Sequence, residues 1–519
     1  MNKITVKKKL YITTPIFYPN GFLHLGHAYT LTIADVIARF KIINGIEVVL
    51  QTGSDEHGEK ILKSSLANGL DVKSFVNNNV NKFKILWDKL GIIDNYYFMR
   101  TSYDSHEEKV KSIFKELFDN GDIYRGKYNG LYCISCEEYY NNKESLNNKC
   151  NSCFFDLTII SEDCYFLKVE KYRRKLIEIY KKREISVIPN SSLNELFESF
   201  LNKEMPDLCI TRKKMNWGIQ VPNDSDSTIY VWFDALCNYL TSVHGEQSFS
   251  HNDWEIIHII GKDIKRFHLV YWPIILIALK KRMPDKVISH GWILSFGAKM
   301  SKSKGNSIDP VFLIDNYESD VLRSYFCSKI SIYNDGDFSE EKLLDFYNSF
   351  FVKKLGNLFS RIHSMLEKYF NLEIPFEQSP FNSKNVEDLK TFFYVNFLDK
   401  EINLYRENMD SFSLTKAFEN VELIISETNR IISLFSPWSL SKENDIKLLS
   451  ELMVLLPNSL KIISFIIWPF SPKTSKIILS NLNFKISEIN FSNLLDFSTM
   501  KGRNMKILKY HVFERKFIS

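Results

Sequence analysis

His24-Leu25-Gly26-His27 sets two imidazoles around a glycine, and far downstream the chain carries Lys299-Met300-Ser301-Lys302-Ser303-Lys304-Gly305. Imidazole N–H groups in the first stretch can donate to phosphate oxygens as charge builds in a transition state. Lysines spaced by small polar residues and closed by glycine suit a mobile loop that grips a triphosphate and then releases it. The bland alternatives are a structural histidine beside a helix cap, and a solvated basic turn. A third chemistry belongs to Cys133, Cys136, Cys150 and Cys153, two Cys-x-x-Cys pairs separated by 13 residues. That spacing favours a tetrahedral zinc site of four thiolates over disulfides or a redox pair, and with no fifth ligand nearby the metal would be structural.

These groups need elements to hold them. The first residues from Tyr11 are β-branched or aromatic, as a buried strand wants, and Pro15, Pro19, Asn20 and Gly21 then break the pattern with turn chemistry. From Gly26 the apolar residues Leu31, Ala34, Ile37 and Ala38 recur at helical spacing until Gly45, and residues 47–52 read as a second strand. In such a β-loop-α-β unit the helix N-terminus offers N–H groups and positive dipole to a phosphate chain. Asp55 follows the second strand, where a carboxylate meets a cationic substrate group such as an α-ammonium, or else caps a helix. Residues 255–260 read as a buried strand ending at Gly261, with Asp263 placed to accept from a ribose. Trp232, Ala235, Leu236 and Tyr239 share one helical face, which on spacing alone reads as core.

The chain has 519 residues, 45% of them hydrophobic and 25% charged, so it is globular and too long for one core; three or four units are expected. A net charge of +5 leaves any nucleic acid to local basic patches. Thr13, Thr14 and Pro15 interrupt any secretory segment after the basic start, and no apolar run reads as long enough to span a bilayer, which predicts a cytosolic protein. Cys164, Cys209, Cys237 and Cys327 read as core. Beyond residue 341 the pattern turns helical, with turns expected near Pro375, Pro380, Pro437, Pro457 and Pro472, which predicts an α-helical bundle.

The histidine and lysine stretches together resemble the HIGH and KMSKS signatures of class I aminoacyl-tRNA synthetases, with Leu25 in place of isoleucine. Thr52-Gly53-Ser54-Asp55-Glu56-His57-Gly58 is similar to the TGTDEHG signature of methionyl-tRNA synthetases. Tyr230-Val231-Trp232-Phe233-Asp234-Ala235-Leu236-Cys237-Asn238-Tyr239 and Gly261-Lys262-Asp263-Ile264 with Phe267-His268 match the same family. The resemblance implies an α/β fold: a Rossmann-like parallel sheet with a zinc-binding insertion, followed by a helical anticodon-binding domain. The implied boundaries are 1–125 and 230–325 for the catalytic halves, 126–229 for the insertion, 326–345 for a linker and 346–519 for the bundle.

The resemblance also implies roles. His24, His27, Lys299 and Lys302 would stabilise phosphate charge. Tyr18, Asn20, Gly26, Gly261, Asp263 and Ile293 would join them around ATP, and Arg212 would close over the adenylate. Ile16, Tyr18, Asp55, Trp232, Ala235, Leu236, Tyr239, Ile264 and His268 would hold L-methionine. Asn357, Arg361 and Trp438 would read the anticodon of initiator and elongator tRNA(Met). One structural Zn²⁺, Mg²⁺ entering with ATP, and a monomer are implied as well. A sibling enzyme for isoleucine, leucine or valine would need a large editing insertion for which the chain has no room. A cysteine enzyme would hold its substrate through zinc, whereas here four cysteines already close that site. A tRNA-binding scaffold without catalysis is the alternative from another class, and the intact histidines and lysines argue against it.

Overall fold

The computed structural model describes residues 9–134, 137–140, 148–150, 155–213, 215–295, 297–299, 308–376, 389–442, 445–506 and 513–516, with backbone only for 298, 299 and 389–393. The chain packs as two units. One comprises residues up to Ala34 with Ile46–Trp87 and Ile93–Trp292, the other Asp35–Gly45, Asp88–Ile92 and Ile293–Ser519.

The first unit is built on a six-stranded sheet. Its strands are β1 (Lys9–Phe17), β2 (Glu47–Ser54), β3 (Tyr97–Arg100), β4 (Ser186–Ile188), β5 (Trp254–Gly261) and β6 (Lys286–His290), in spatial order β3-β2-β1-β5-β6-β4 and parallel throughout. Leu10, Tyr11 and Ile12 in β1 and Ile256, Ile257, Ile259 and Ile260 in β5 are fully buried. Parallel strands covered on both faces carry such unbroken apolar runs. Strand order reverses between β1 and β5, so the crevice outside their carboxyl ends is where ligands bind in an open α/β sheet. Helix α1 (Leu25–Ile43) begins in that crevice, and α2 (Val231–Thr241) is buried along nearly its whole length.

Between the halves of the sheet the chain makes a four-stranded antiparallel sheet in the order Glu138–Tyr140, Ile123–Cys133, Thr158–Leu167, Leu208–Cys209. A smaller sheet pairs Gln220–Val221, Asp224–Ile229 and Thr211–Lys213. Cys164 and Cys209 are buried here, Cys237 in α2, and Cys327 in the second unit.

The second unit opens with short strands at Ile293–Ser295, Ala298–Lys299 and Gly336–Asp337 and then is helical, its longest members being Leu389–Asp410, Leu414–Phe435 and Ile446–Ile467. The last of these corrects two expectations. No turn forms at Pro457, which lies inside the helix, and the helix is long and apolar enough to cross a bilayer, yet its apolar window is entirely buried in the protein. Packing on all sides outweighs the single backbone hydrogen bond that a proline forfeits, and an all-round apolar helix is what a bundle centre requires. The fully buried Arg323 donates to Asp35 Oδ2 at 2.6 Å and to the carbonyls of Pro469 and Phe470 at 2.8 and 3.1 Å. Hydrogen bonding of this completeness is what makes a buried charge tolerable.

Candidate active site

The loop after β1 carries Tyr18, Asn20, His24, Gly26 and His27 along the carboxyl edge of the sheet, and Asn79 Nδ2 pins it through the Pro19 carbonyl at 2.9 Å. His24 stands at the N-terminus of α1, where its Nδ1 accepts from the Gly26 N–H at 3.1 Å, and His27 Nδ1 accepts from the His24 N–H at 3.1 Å. Both imidazoles thus take part in capping the helix, and with both Nδ1 atoms accepting, each neutral ring carries its proton on Nε2 as a donor. The two rings lie 3.9 Å apart between centroids. A Cβ at Gly26 would sit 2.9 Å from His24 Cε1, so this glycine makes room for the ring that caps it.

Asp55, just beyond β2, is 4% exposed, and its backbone N–H donates to the Phe17 carbonyl at 2.9 Å. It caps no helix. Its Oδ1 is buried with no hydrogen-bond partner among the described residues. Burial first, then the carboxylates of Asp234 and Glu137, hold the Asp55 carboxyl well above the usual carboxylate range, against a lowering by His57. A buried acceptor with nothing to accept from is what an incoming ammonium would satisfy.

Beneath it lies a network that the sequence reading passed over. Asp234 accepts from His57 Nδ1 at 2.8 Å and from His106 Nε2 at 2.6 Å, and His106 Nδ1 meets Thr241 Oγ1 at 2.7 Å. Burial alone would lower the His57 imidazole, but Asp234 and Glu107 raise it to about 10, while the two histidines hold Asp234 below its ordinary value despite its burial. Near neutral pH His57 is thus an imidazolium in an acidic surround. Glu56 is paired with Arg100, at 2.6 and 3.0 Å. His57 and Asp234 lay inside the quoted motifs without a role. His106 carried no signal at all, standing in a stretch read only as helical. Glu137 was likewise missed.

On α2, Ala235, Leu236 and Tyr239 are buried and Trp232 is partly exposed, its ring stacked on Phe267 at 3.7 Å. His268 Nδ1 lies 3.0 Å from the Ile264 carbonyl, which makes that nitrogen the donor and leaves Nε2 to accept from Tyr239 O–H at 2.8 Å. Burial lowers His268 to about 4, so it is neutral near pH 7. Ile16 and Ile264 are half-buried. At the end of β5, a Cβ on Gly261 would meet Asp263 Oδ1 at 2.6 Å, and Asp263 is exposed, accepting from Trp292 Nε1 at 3.4 Å.

Arg212 lies in Thr211–Lys213, its guanidinium 4.0 Å from the Tyr132 ring centroid and 3.3 Å from Glu162 Oε1. Its Nε and Nη1 are buried without partners among the described residues, so this arginine keeps donors in reserve. Cys133 and Cys150 are fully buried in one small cluster with Leu131 and Tyr140. Cys136 and Cys153 lie outside the described residues, and among the described residues no group of three candidate ligands stands ready for a metal. Two of the four thiols brought together in one core fit a zinc knuckle.

The remaining candidates belong to the second unit. Ile293 is buried in its strand. Lys302 and the side chain of Lys299 lie outside the described residues. Asn357 is exposed at the start of the helix Asn357–Phe370, and Arg361, one turn on, donates to Asn429 Oδ1 at 3.0 Å. Trp438 is 45% exposed, so about half of its surface faces solvent.

A parallel sheet with its chemistry at the β1/β5 reversal and a capped His-x-Gly-His turn defines a class of nucleotide-using enzymes. The family described as tRNA synthetases class I (M) matches residues 10–158 and 143–363, more than half of the chain. The chain belongs to the class I tRNA synthetases. Among proteins similar to it are the methionine–tRNA ligase of Clostridium tetani, 38% identical over 93% of this chain and 75% of that protein, and that of Ureaplasma parvum, 38% identical over 95% of each. A solved Mycobacterium tuberculosis methionyl-tRNA synthetase in complex with methionyl-adenylate superposes with a TM-score of 0.86 at 29% identity, covering 96% of this chain and 97% of that one. Within its class, the chain belongs to the methionyl-tRNA synthetases.

Proposed function

We propose that this chain activates methionine with ATP and transfers it to the 3′-terminal adenosine of tRNA(Met). The observation that carries the reading is the buried, unpartnered Oδ1 of Asp55 at the carboxyl edge of the sheet, a receptor for the α-ammonium. Ile16, Tyr18, Trp232, Ala235, Leu236, Tyr239, Ile264 and His268 form the side-chain wall, where a polarisable thioether gains against rings more than a branched aliphatic chain does. Neutral His268 and Tyr239 are already satisfied by each other, so they present no stray charge to that sulfur.

In the first step a methionine carboxylate oxygen attacks the α-phosphorus of ATP in line, the α–β bridge bond breaks and pyrophosphate leaves. His24 and His27 donate from Nε2 to phosphate oxygens, with Lys299, Lys302 and the Mg²⁺ that enters with ATP as further counter-charges. Asn20, Gly26, Gly261, Asp263 and Ile293 position the nucleotide, and Arg212 turns its spare donors toward the adenylate. In the second step the 2′-hydroxyl of the terminal adenosine attacks the methionyl carbonyl and AMP departs. No side chain needs to be a strong base, because positioning and electrostatics supply the rate.

Cys133, Cys136, Cys150 and Cys153 would hold one Zn²⁺ as four thiolates, a structural cross-link for the insertion. Asn357, Arg361 and Trp438 would read the anticodon by hydrogen bonding and stacking, in both initiator and elongator tRNA(Met). The reading includes a monomer working in the cytoplasm. Exchange of labelled pyrophosphate into ATP tests it: stimulation by methionine and not by leucine, isoleucine, valine or cysteine is expected. No exchange with any amino acid would leave a tRNA-binding scaffold instead.

A further inference from the structure

We propose that Glu137 is a positioning residue for methionine activation, holding Tyr18 and the start of the helix Glu59–Ala67 in register with Asp55; the inference rests on the function proposed above. Glu137 is 1% exposed, and its backbone sits at φ 50°, a left-handed conformation that a non-glycine residue holds only where its surroundings impose it. Its carboxylate accepts from two segments of the site: Tyr18 O–H reaches Oε2 at 3.1 Å and the Lys60 backbone N–H reaches Oε1 at 2.9 Å. The helix start packs directly on it, since a Cβ at Gly58 would lie 2.5 Å from Oε2 and 2.6 Å from Oε1. A third segment is tied through the main chain, where Tyr230 O–H donates to the Glu137 carbonyl just ahead of α2.

One residue therefore joins the loop after β1, the helix start after β2 and the entry to the aromatic helix. Glu137 also follows Cys136 directly in the chain. The carboxylate in turn sets where Tyr18 and the segment after Asp55 stand. A residue buried away from solvent and satisfied by two groups of the pocket acts on substrate through them.

The test is a set of variants assayed by methionine-dependent pyrophosphate exchange, with thermal unfolding followed in parallel. Glu137→Ala is expected to raise the methionine KM about tenfold, the scale of a lost charge-assisted hydrogen bond, while the ATP KM moves less than about threefold. Glu137→Gln keeps an oxygen for Lys60 and offers an N–H to the Tyr18 oxygen, so it is expected to recover most of the loss. Glu137→Asp keeps the charge but withdraws the carboxylate by one methylene. It is expected to resemble Glu137→Ala and replaces it if that variant does not fold. In a Tyr18→Phe background the effect should shrink at least about threefold, the coupling expected of contacting residues. The proposal is overturned if methionine and ATP KM rise together, if the full loss persists without the Tyr18 hydroxyl, or if Gln is as damaging as Ala. Absence of methionine-dependent exchange in the unmodified protein would instead defeat the function itself.

Discussion

Replacing Asp55 by asparagine removes a buried carboxylate without removing its volume, and two opposite effects follow. In the free protein the carboxylate is burdened by burial and by the neighbouring Asp234 and Glu137 charges. A carboxyl whose folded value is raised takes up protons on folding, so its favourable contribution is greatest at low pH and is lost as pH rises through the folded value. Asp55→Asn is therefore expected to raise the melting temperature of the free protein at pH 8, with the gain shrinking toward pH 4. In the complex the sign reverses, because the ammonium of methionine compensates the charge. Losing one partner of a buried ion pair costs about 3–5 kcal/mol, or roughly two to three and a half powers of ten in affinity. With Asp55 only 4% exposed, solvent screening does not soften that figure. The methionine KM in pyrophosphate exchange should rise by at least about a hundredfold, with ATP KM little changed. The unmodified protein should bind methionine more tightly as pH rises on the acid side, because the Asp55 proton must leave, and the variant should lose that limb. A methionine KM within about threefold of the unmodified protein, or an acid limb that survives the substitution, would refute the assignment.

Three further outcomes are expected. Asp234→Asn leaves two buried histidines without their shared acceptor and should cost about 3–5 kcal/mol of stability by denaturant titration. Because His57 is raised to about 10, the stability it contributes is complete below pH 6.5 and lost as pH climbs toward 10, and that slope should disappear in the variant. Chelation should release one zinc per chain, expose Cys133, Cys136, Cys150 and Cys153 to a thiol reagent and lower the melting temperature; metal analysis finding none would remove the knuckle. Trp438→Ala should weaken tRNA charging at least about tenfold, the scale of a lost stacked base, and spare pyrophosphate exchange. Equal damage in both assays would make Trp438 structural.

The sequence alone made the chemical inventory legible, because each group sits where a local pattern changes. His24 and His27 stand where strand alternation gives way to helical spacing, Asp55 where an apolar run stops, Asp263 after another such run, and the paired cysteines at zinc spacing. Type and spacing are short-range properties, and they survive in one dimension. The order of strands, with β5 laid beside β1 across more than two hundred residues, was decided by tertiary packing. So was the burial of Ile446–Ile467, whose composition alone permits a bilayer or a bundle centre. The support for Asp55 is tertiary too. His106, Asp234 and Glu137 come from three separate stretches, and their roles exist only through distances that folding creates. A hydrogen bond between residues more than a hundred positions apart leaves no local mark on either, which is why the candidate substrate groups were readable and the residues that hold them in place were not.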